Sequence, residues 1–128
     1  MFERYTEDAL RVIFFARYEA SLVGSSALEP EHLWLGLLRQ TPKLVRRVAP
    51  QITAESIHQR LMRRGPKADR VSMTTDIPLS DDAQRALASA TAEADGHGQQ
   101  HITAEYLALA LLREGNISSQ YLLTPPSR

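Results

Sequence analysis

No cysteine occurs in the 128 residues, which removes disulfides, thiolate nucleophiles and thiolate metal ligands together. Long hydrophobic runs are missing as well: the longest apolar stretches are about six residues, against the ~20 that a membrane-spanning helix needs. The opening Met1-Phe2-Glu3-Arg4 has no apolar leader stretch. These absences predict a soluble, cytoplasmic protein with no membrane partner. Phosphate-binding machinery is lacking too, since no Gly-x-x-x-x-Gly-Lys-Ser/Thr loop is present and the chain alone has nothing to hold and hydrolyse ATP. There is no Ser/His/Asp ordering and no pair of carboxylates held at a defined distance, so no enzyme is expected. Asp95, His97 and His101 fall in one loop without fixed period or a second carboxylate cluster, so neither a metal site nor a cofactor is expected.

Net charge is zero overall but unevenly spread. Between Arg39 and Arg70 nine basic residues face two acidic ones, Glu55 and Asp69, a local +7 that the rest of the chain must balance. This basic band, residues 39–70, reads as a solvated helix face plus a linker, or as a surface for nucleic acid or an acidic protein. No aromatic residues interleave Arg46, Arg47, Arg60, Arg63 and Arg64, which counts against single-stranded nucleic acid.

What the chain does contain is a duplication at a constant offset of 74 residues. Thr6-Glu7-Asp8-Ala9 is answered by Ser80-Asp81-Asp82-Ala83, Glu19-Ala20 by Glu93-Ala94, and Gly24 by Gly98. Glu31-x-Leu33-x-Leu35-x-Leu37-Leu38-Arg39 is answered by Glu105-x-Leu107-x-Leu109-x-Leu111-Leu112-Arg113. A fixed offset over a whole supersecondary unit is the signature of repetition. Two matched copies suit a docking surface better than a catalytic centre.

Each copy reads as helix. Thr6 is a good N-cap with Glu7 and Asp8 in the first turn; Ala9, Val12, Ile13, Ala16, Ala20 and Val23 recur at helical spacing until Gly24, which predicts a helix over 6–23. Pro30 suits a first turn, and Leu33 to Leu38 is apolar on every face, as in a helix surrounded by protein. His32 reads as a packed or capping residue. A short helix is expected over 43–49, then a fourth begun by Thr53-Ala54-Glu55, with Ile57 and Leu61 inward and His58, Arg60, Arg63 and Arg64 outward. Gly65-Pro66 breaks it. The second copy is expected over 80–95 and 103–113, with a short helix over 118–123 before Pro125-Pro126. Repeat one is thus residues 1–64, the linker 65–78 and repeat two 79–128. The expected fold is one all-α domain, a duplicated four-helix repeat in a pseudo-twofold bundle of about seven helices, its second copy shortened. Without an eighth helix, a surface near Leu107, Leu111 and Tyr121 should need cover, and a twofold homodimer is the expected cover. The copies also differ where Leu10, Phe14, Phe15 and Tyr18 face Gln84, Ala88, Ser89 and Ala92, so the first set is either inter-repeat core or an aromatic contact face for a partner.

The opening Met1-Phe2-Glu3-Arg4-Tyr5-Thr6 with Glu31-His32-Leu33-x-Leu35-Gly36-Leu37-Leu38 and its second cycle resembles the N-terminal repeat domain of the Clp (Hsp100) ATPases, ClpC type, as a free-standing or excised form. The resemblance implies an all-α pseudo-twofold bundle that docks substrates and adaptor proteins for a Clp ATPase. It further implies paired phosphoarginine sites, each using a glutamate at the start of the second helix and the hydroxyl-capped start of the first. Carried over by motif, the first site uses Thr6 and Glu31 and the second Ser80 and Glu105. A carboxylate suits the guanidinium, while hydroxyl and N–H groups at a helix start suit the phosphate. The family's Gly-Thr before the glutamate is Glu29-Pro30 in the first copy, which adds a charge and removes an N–H. The second copy has Thr103-Ala104, with Tyr106 in place of the family's histidine, and is the favoured site. Phe14, Tyr18, Arg46 and Arg47 are the expected partner surface.

Overall fold

The structure, a computed structural model, describes residues 2–63, 69–72 and 76–115. Within them the chain forms six helices: α1 (Glu7–Leu22), α2 (Pro30–Gln40), α3 (Pro42–Val48), α4 (Ala54–Arg63), α5 (Asp81–Gly96) and α6 (Ala104–Glu114). The described residues contain no strand, only two isolated parallel bridges, Tyr5 with Ile102 and Leu28 with Leu79. The helix expected over 118–123 lies outside the described residues, as does Arg64.

The caps explain the boundaries. Thr6 and Ser80 stand in extended backbone and their hydroxyls accept from the amides of Ala9 (3.3 Å) and Ala83 (3.1 Å). Each thereby satisfies a backbone donor that the first helical turn leaves without a partner. Gly24 and Gly98 follow the ends of α1 and α5 with φ of 61° and 67°, the left-handed conformation that glycine adopts without a Cβ penalty.

α2 is the buried centre, as its apolar run requires: every residue from Pro30 to Leu37 is buried. Gly36 lets it approach α1, because a Cβ there would lie 2.3 Å from the Val12 carbonyl oxygen. From α1 the core takes Ala9, Val12, Ile13 and Ala16; from α5 and α6 it takes Ala83, Leu87, Ala90, Leu107 and Leu111.

The pseudo-twofold relation is visible bond by bond. The amide of Thr6 donates to the Ile102 carbonyl at 3.0 Å, and the amide of Ser80, 74 residues on, donates to the Leu28 carbonyl at 3.0 Å. Ile102 donates to Arg4, and Leu28 to Pro78, each at 2.8 Å. The ion pair of Glu19 with Arg39 at 2.6 Å is matched by Glu93 with Arg113 at 2.6 Å. Each copy thus ties its first helix to the end of its second through the same two residue types.

Three expectations change. Leu10 and Phe14 are 42% and 57% exposed, so they do not belong to an inter-repeat core; small residues on the other side of α1 fill that space. Arg60 does not point into solvent. Its side chain is 19% exposed and its Nε donates to the fully buried Glu31 carboxylate at 3.0 Å. Leu107 and Leu111 are not bare, at 2% and 3% exposed, because α6 packs on α1, α2 and α3 as well as on α5. That burial removes the reason for covering them with a second copy; Tyr121 lies outside the described residues.

Candidate functional site

Because the bridges run crosswise between the copies, the helix starts meet in pairs that the motif did not anticipate. Thr6 at the head of α1 bonds the residue before α6, so it shares an end of the molecule with Thr103 and Glu105. Ser80 at the head of α5 bonds the residue before α2 and shares the opposite end with Glu29, Pro30 and Glu31. The pairing carried over from the motif, Thr6 with Glu31 and Ser80 with Glu105, is therefore replaced by Thr6 with Glu105 and Ser80 with Glu31. The four residues remain, and their partners exchange.

The two ends differ chemically. At the α1/α6 end, Thr103 caps α6 by accepting from the Tyr106 amide at 3.3 Å, and the Glu105 side chain is 56% exposed. Among the described residues Arg47 of α3 pairs with it at 3.7 Å, a long pair that solvent weakens. Arg4 fixes the adjoining loop, reaching Asp95 at 2.7 Å and the Gln99 and Gln100 carbonyls at 3.0 and 2.9 Å. Tyr5 lies just before the Thr6 cap, 7% exposed, with its ring edge-on to Phe2 at 5.0 Å. Burial pushes the Tyr5 phenol up to about 12, because the charged form would lose its hydration there. Two helix dipoles present their positive ends together at this place, with a reachable carboxylate beside them.

The α5/α2 end is closed. Glu31 is 0% exposed and held by Arg60. Glu29 caps α2 from within, taking part in a capping box in which the Glu29 amide donates to His32 Nδ1 at 2.9 Å, so His32 is a buried capping residue. Pro30 removes one amide from the same turn. An internal carboxylate and an internal guanidinium occupy what is open at the other end.

The expected partner surface divides in two. Phe14 is exposed on α1, whereas Tyr18 is half-buried beneath Arg39, whose guanidinium lies 5.1 Å from its ring centre. Arg46 and Arg47 are exposed on α3, which does not touch α1. The basic band is also partly consumed, since Arg39, Arg47 and Arg60 pair with Glu19, Glu105 and Glu31. Glu19 itself was missed as a structural centre. It is 8% exposed by side chain and is also approached by His58 of α4 at 3.4 Å, and its recurrence as Glu93 was the available signal. Asp95, expected in a loop, lies in the last turn of α5 and pairs with Arg4, while His97 follows the helix and pairs with Glu93 at 3.2 Å. No group of three metal-ligating side chains stands together among the described residues.

A family model, the Clp repeat (R) N-terminal domain, matches residues 4–125. The chain belongs to this family. This Clp repeat domain is 32% identical over 120 residues to the chloroplastic chaperone protein ClpC1 of Oryza sativa subsp. japonica, covering 90% of this chain and 13% of the relative. To the chloroplastic chaperone protein ClpD2 of the same plant it is 29% identical over 115 residues, covering 87% and 12%. It therefore spans only a small fraction of the curated relatives it matches. The N-terminal domain of the caseinolytic protease associated chaperone ClpD from Arabidopsis thaliana superposes with a TM-score of 0.73 at 25% identity, covering 96% of this chain and 84% of that one. The Hsp104 N-terminal domain from Candida albicans shares the fold, with a TM-score of 0.75 at 19% identity and coverage of 94% and 81%. In the Clp repeat domain no described helix is long and apolar enough to cross a membrane.

Proposed function

We propose that this Clp repeat domain is a docking module for substrates or adaptor proteins of the Clp chaperone and protease system, with no catalysis of its own, and that a Clp ATPase is the machine it serves. The observation that carries the reading is the open end of the fold, where the Thr6 cap of α1 bonds Ile102, the residue before the Thr103 cap, and Glu105 stands exposed in the first turn of α6. Two aligned helix starts favour an anion, and a carboxylate beside them favours a guanidinium. Phosphoarginine joins the two groups in one side chain, so phosphoarginine-tagged proteins are the substrate class that fits. The closed end supports a single working site, because Arg60 already occupies Glu31.

Titration of a fluorescent phosphoarginine peptide tests this. Glu105→Ala should weaken binding by about ten- to a hundredfold, the loss of a charge-assisted hydrogen bond worth ~1.5–3 kcal/mol. Thr6→Ala should weaken it less, and Glu31→Ala should leave affinity nearly unchanged in protein that remains folded. Binding insensitive to Glu105 and Thr6 would remove this end as the site. The basic band gains little as a nucleic-acid surface, because Arg39 and Arg60 are engaged in close ion pairs within the chain.

A further inference from the structure

The internal duplication provides a control for judging exposed residues. α1 and α5 occupy matching places in the two copies and carry matching caps and glutamates, so they can be compared position by position. Yet Leu10 and Phe14, 42% and 57% exposed on α1, correspond to Gln84 and Ala88 on α5. The helix folds and packs with a polar and a small residue at these places, so the apolar pair on α1 is not demanded by the core. Exposed leucine and phenylalanine four residues apart form one continuous patch.

The residues flanking the pair indicate what covers it. Glu7, Leu10, Phe14 and Arg17 are spaced three, four and three apart, so they line one stripe of α1. The stripe is apolar in the middle, negative at its start and positive at its end. Laid antiparallel on an identical stripe, Leu10 meets Phe14 of the partner subunit, and Glu7 meets Arg17 of the partner subunit, each contact occurring twice about a twofold axis. Laid parallel, like charges meet at both ends. Such self-complementarity is what an isologous contact requires.

We infer that the Glu7–Leu10–Phe14–Arg17 stripe of α1 is a self-association surface, on which a second copy of this chain docks antiparallel about a twofold axis. Among the described residues Glu7 pairs with Arg11 of its own helix, at 3.5 Å and well exposed, so its exchange to Arg17 of the partner subunit costs little. One helix face is smaller than the ~1,000 Å² of a stable interface, so the dimer is weak, with Kd on the order of 0.1–1 mM. The stripe begins at Glu7, next to the Thr6 cap, and runs away from it along α1; self-association is read from mass and peptide docking from titration, so failure of one is distinguishable from failure of the other.

Sedimentation equilibrium of the full chain, from about 10 µM to 1 mM, brackets that affinity. The average mass is expected to rise with concentration from one chain towards two. Introducing the α5 residues at the stripe, L10Q with F14A, should hold the chain at one mass throughout, while circular dichroism and the melting temperature confirm that it is folded. R17E and E7R should each weaken the dimer about tenfold, and the two together should restore it, because every swapped charge then meets a swapped partner. A monomer at the highest concentration, a dimer that survives L10Q with F14A, or a double charge swap no better than the single changes would overturn the inference.

Discussion

At Gly36 a single methyl group is expected to cost more than at any other glycine of the helices. A Cβ would press on the Val12 carbonyl oxygen at 2.3 Å and the Ala16 amide nitrogen at 3.1 Å, and backbone on a packed helix cannot step aside. Gly36→Ala should therefore destabilise the fold by about 1–3 kcal/mol, although alanine is the better helix former. The other copy already has alanine at this place, Ala110, and Ala110→Gly should cost only about 0.5–1 kcal/mol. Urea denaturation followed by Trp34 emission checks both, since the chain has one tryptophan and it is fully buried. Tyr5 sets an alkaline limit. Its phenol is pushed up to about 12 by burial, above its unfolded value near 10. The stability this contributes is intact below pH 10 and is lost as pH rises through 12, by about 2–3 kcal/mol. Melting temperatures across that window should fall less steeply for Tyr5→Phe than for the native chain.

At the scale of elements, α4 is held by polar contacts to two helices as well as by its apolar face. Ile57 is buried and Leu61 packs half-buried against the core, while Arg60 reaches Glu31 on α2 and His58 reaches Glu19 on α1. Removing either member of the Glu31–Arg60 pair takes a charge-assisted hydrogen bond from the other. Glu31→Ala and Arg60→Ala should each cost about 1.5–3 kcal/mol, and the double variant should cost clearly less than their sum. Hydrogen exchange should show the loss concentrated in α4. Additive costs with unchanged α4 protection would mean that the pair does not hold the helix. Thr6→Ala and Ser80→Ala remove matching caps, and each should cost about 0.5–2 kcal/mol.

At the scale of the whole molecule, the copies are joined where both begin. The Tyr5–Ile102 and Leu28–Leu79 bridges connect one copy to the other, and α6 packs on three helices of the first copy. Unfolding should therefore be a single transition, with Trp34 emission from the first copy and circular dichroism from all helices tracing the same curve. Two separated transitions would show that each copy holds its own core and that the bridges are incidental.

Helix positions, caps and buried faces were legible in the sequence because they follow from local periodicity and from side chains reaching their own backbone. The duplication, the all-α class and the buried character of α2 were equally legible, as were the residue types available at the helix starts. Boundaries shifted by a residue or so at α1, α5 and α6, as fraying helix ends do. What no period encodes is which helix start meets which. Thr6 lies 25 residues from Glu31 and 99 from Glu105, and motif order joins the nearer pair, whereas the crosswise bridges join the farther one. The same packing took Arg60 out of solvent, buried Glu31, and left Glu105 and Phe14 exposed. Those outcomes depend on how two helical pairs lie against each other, a long-range relation that only the folded chain decides.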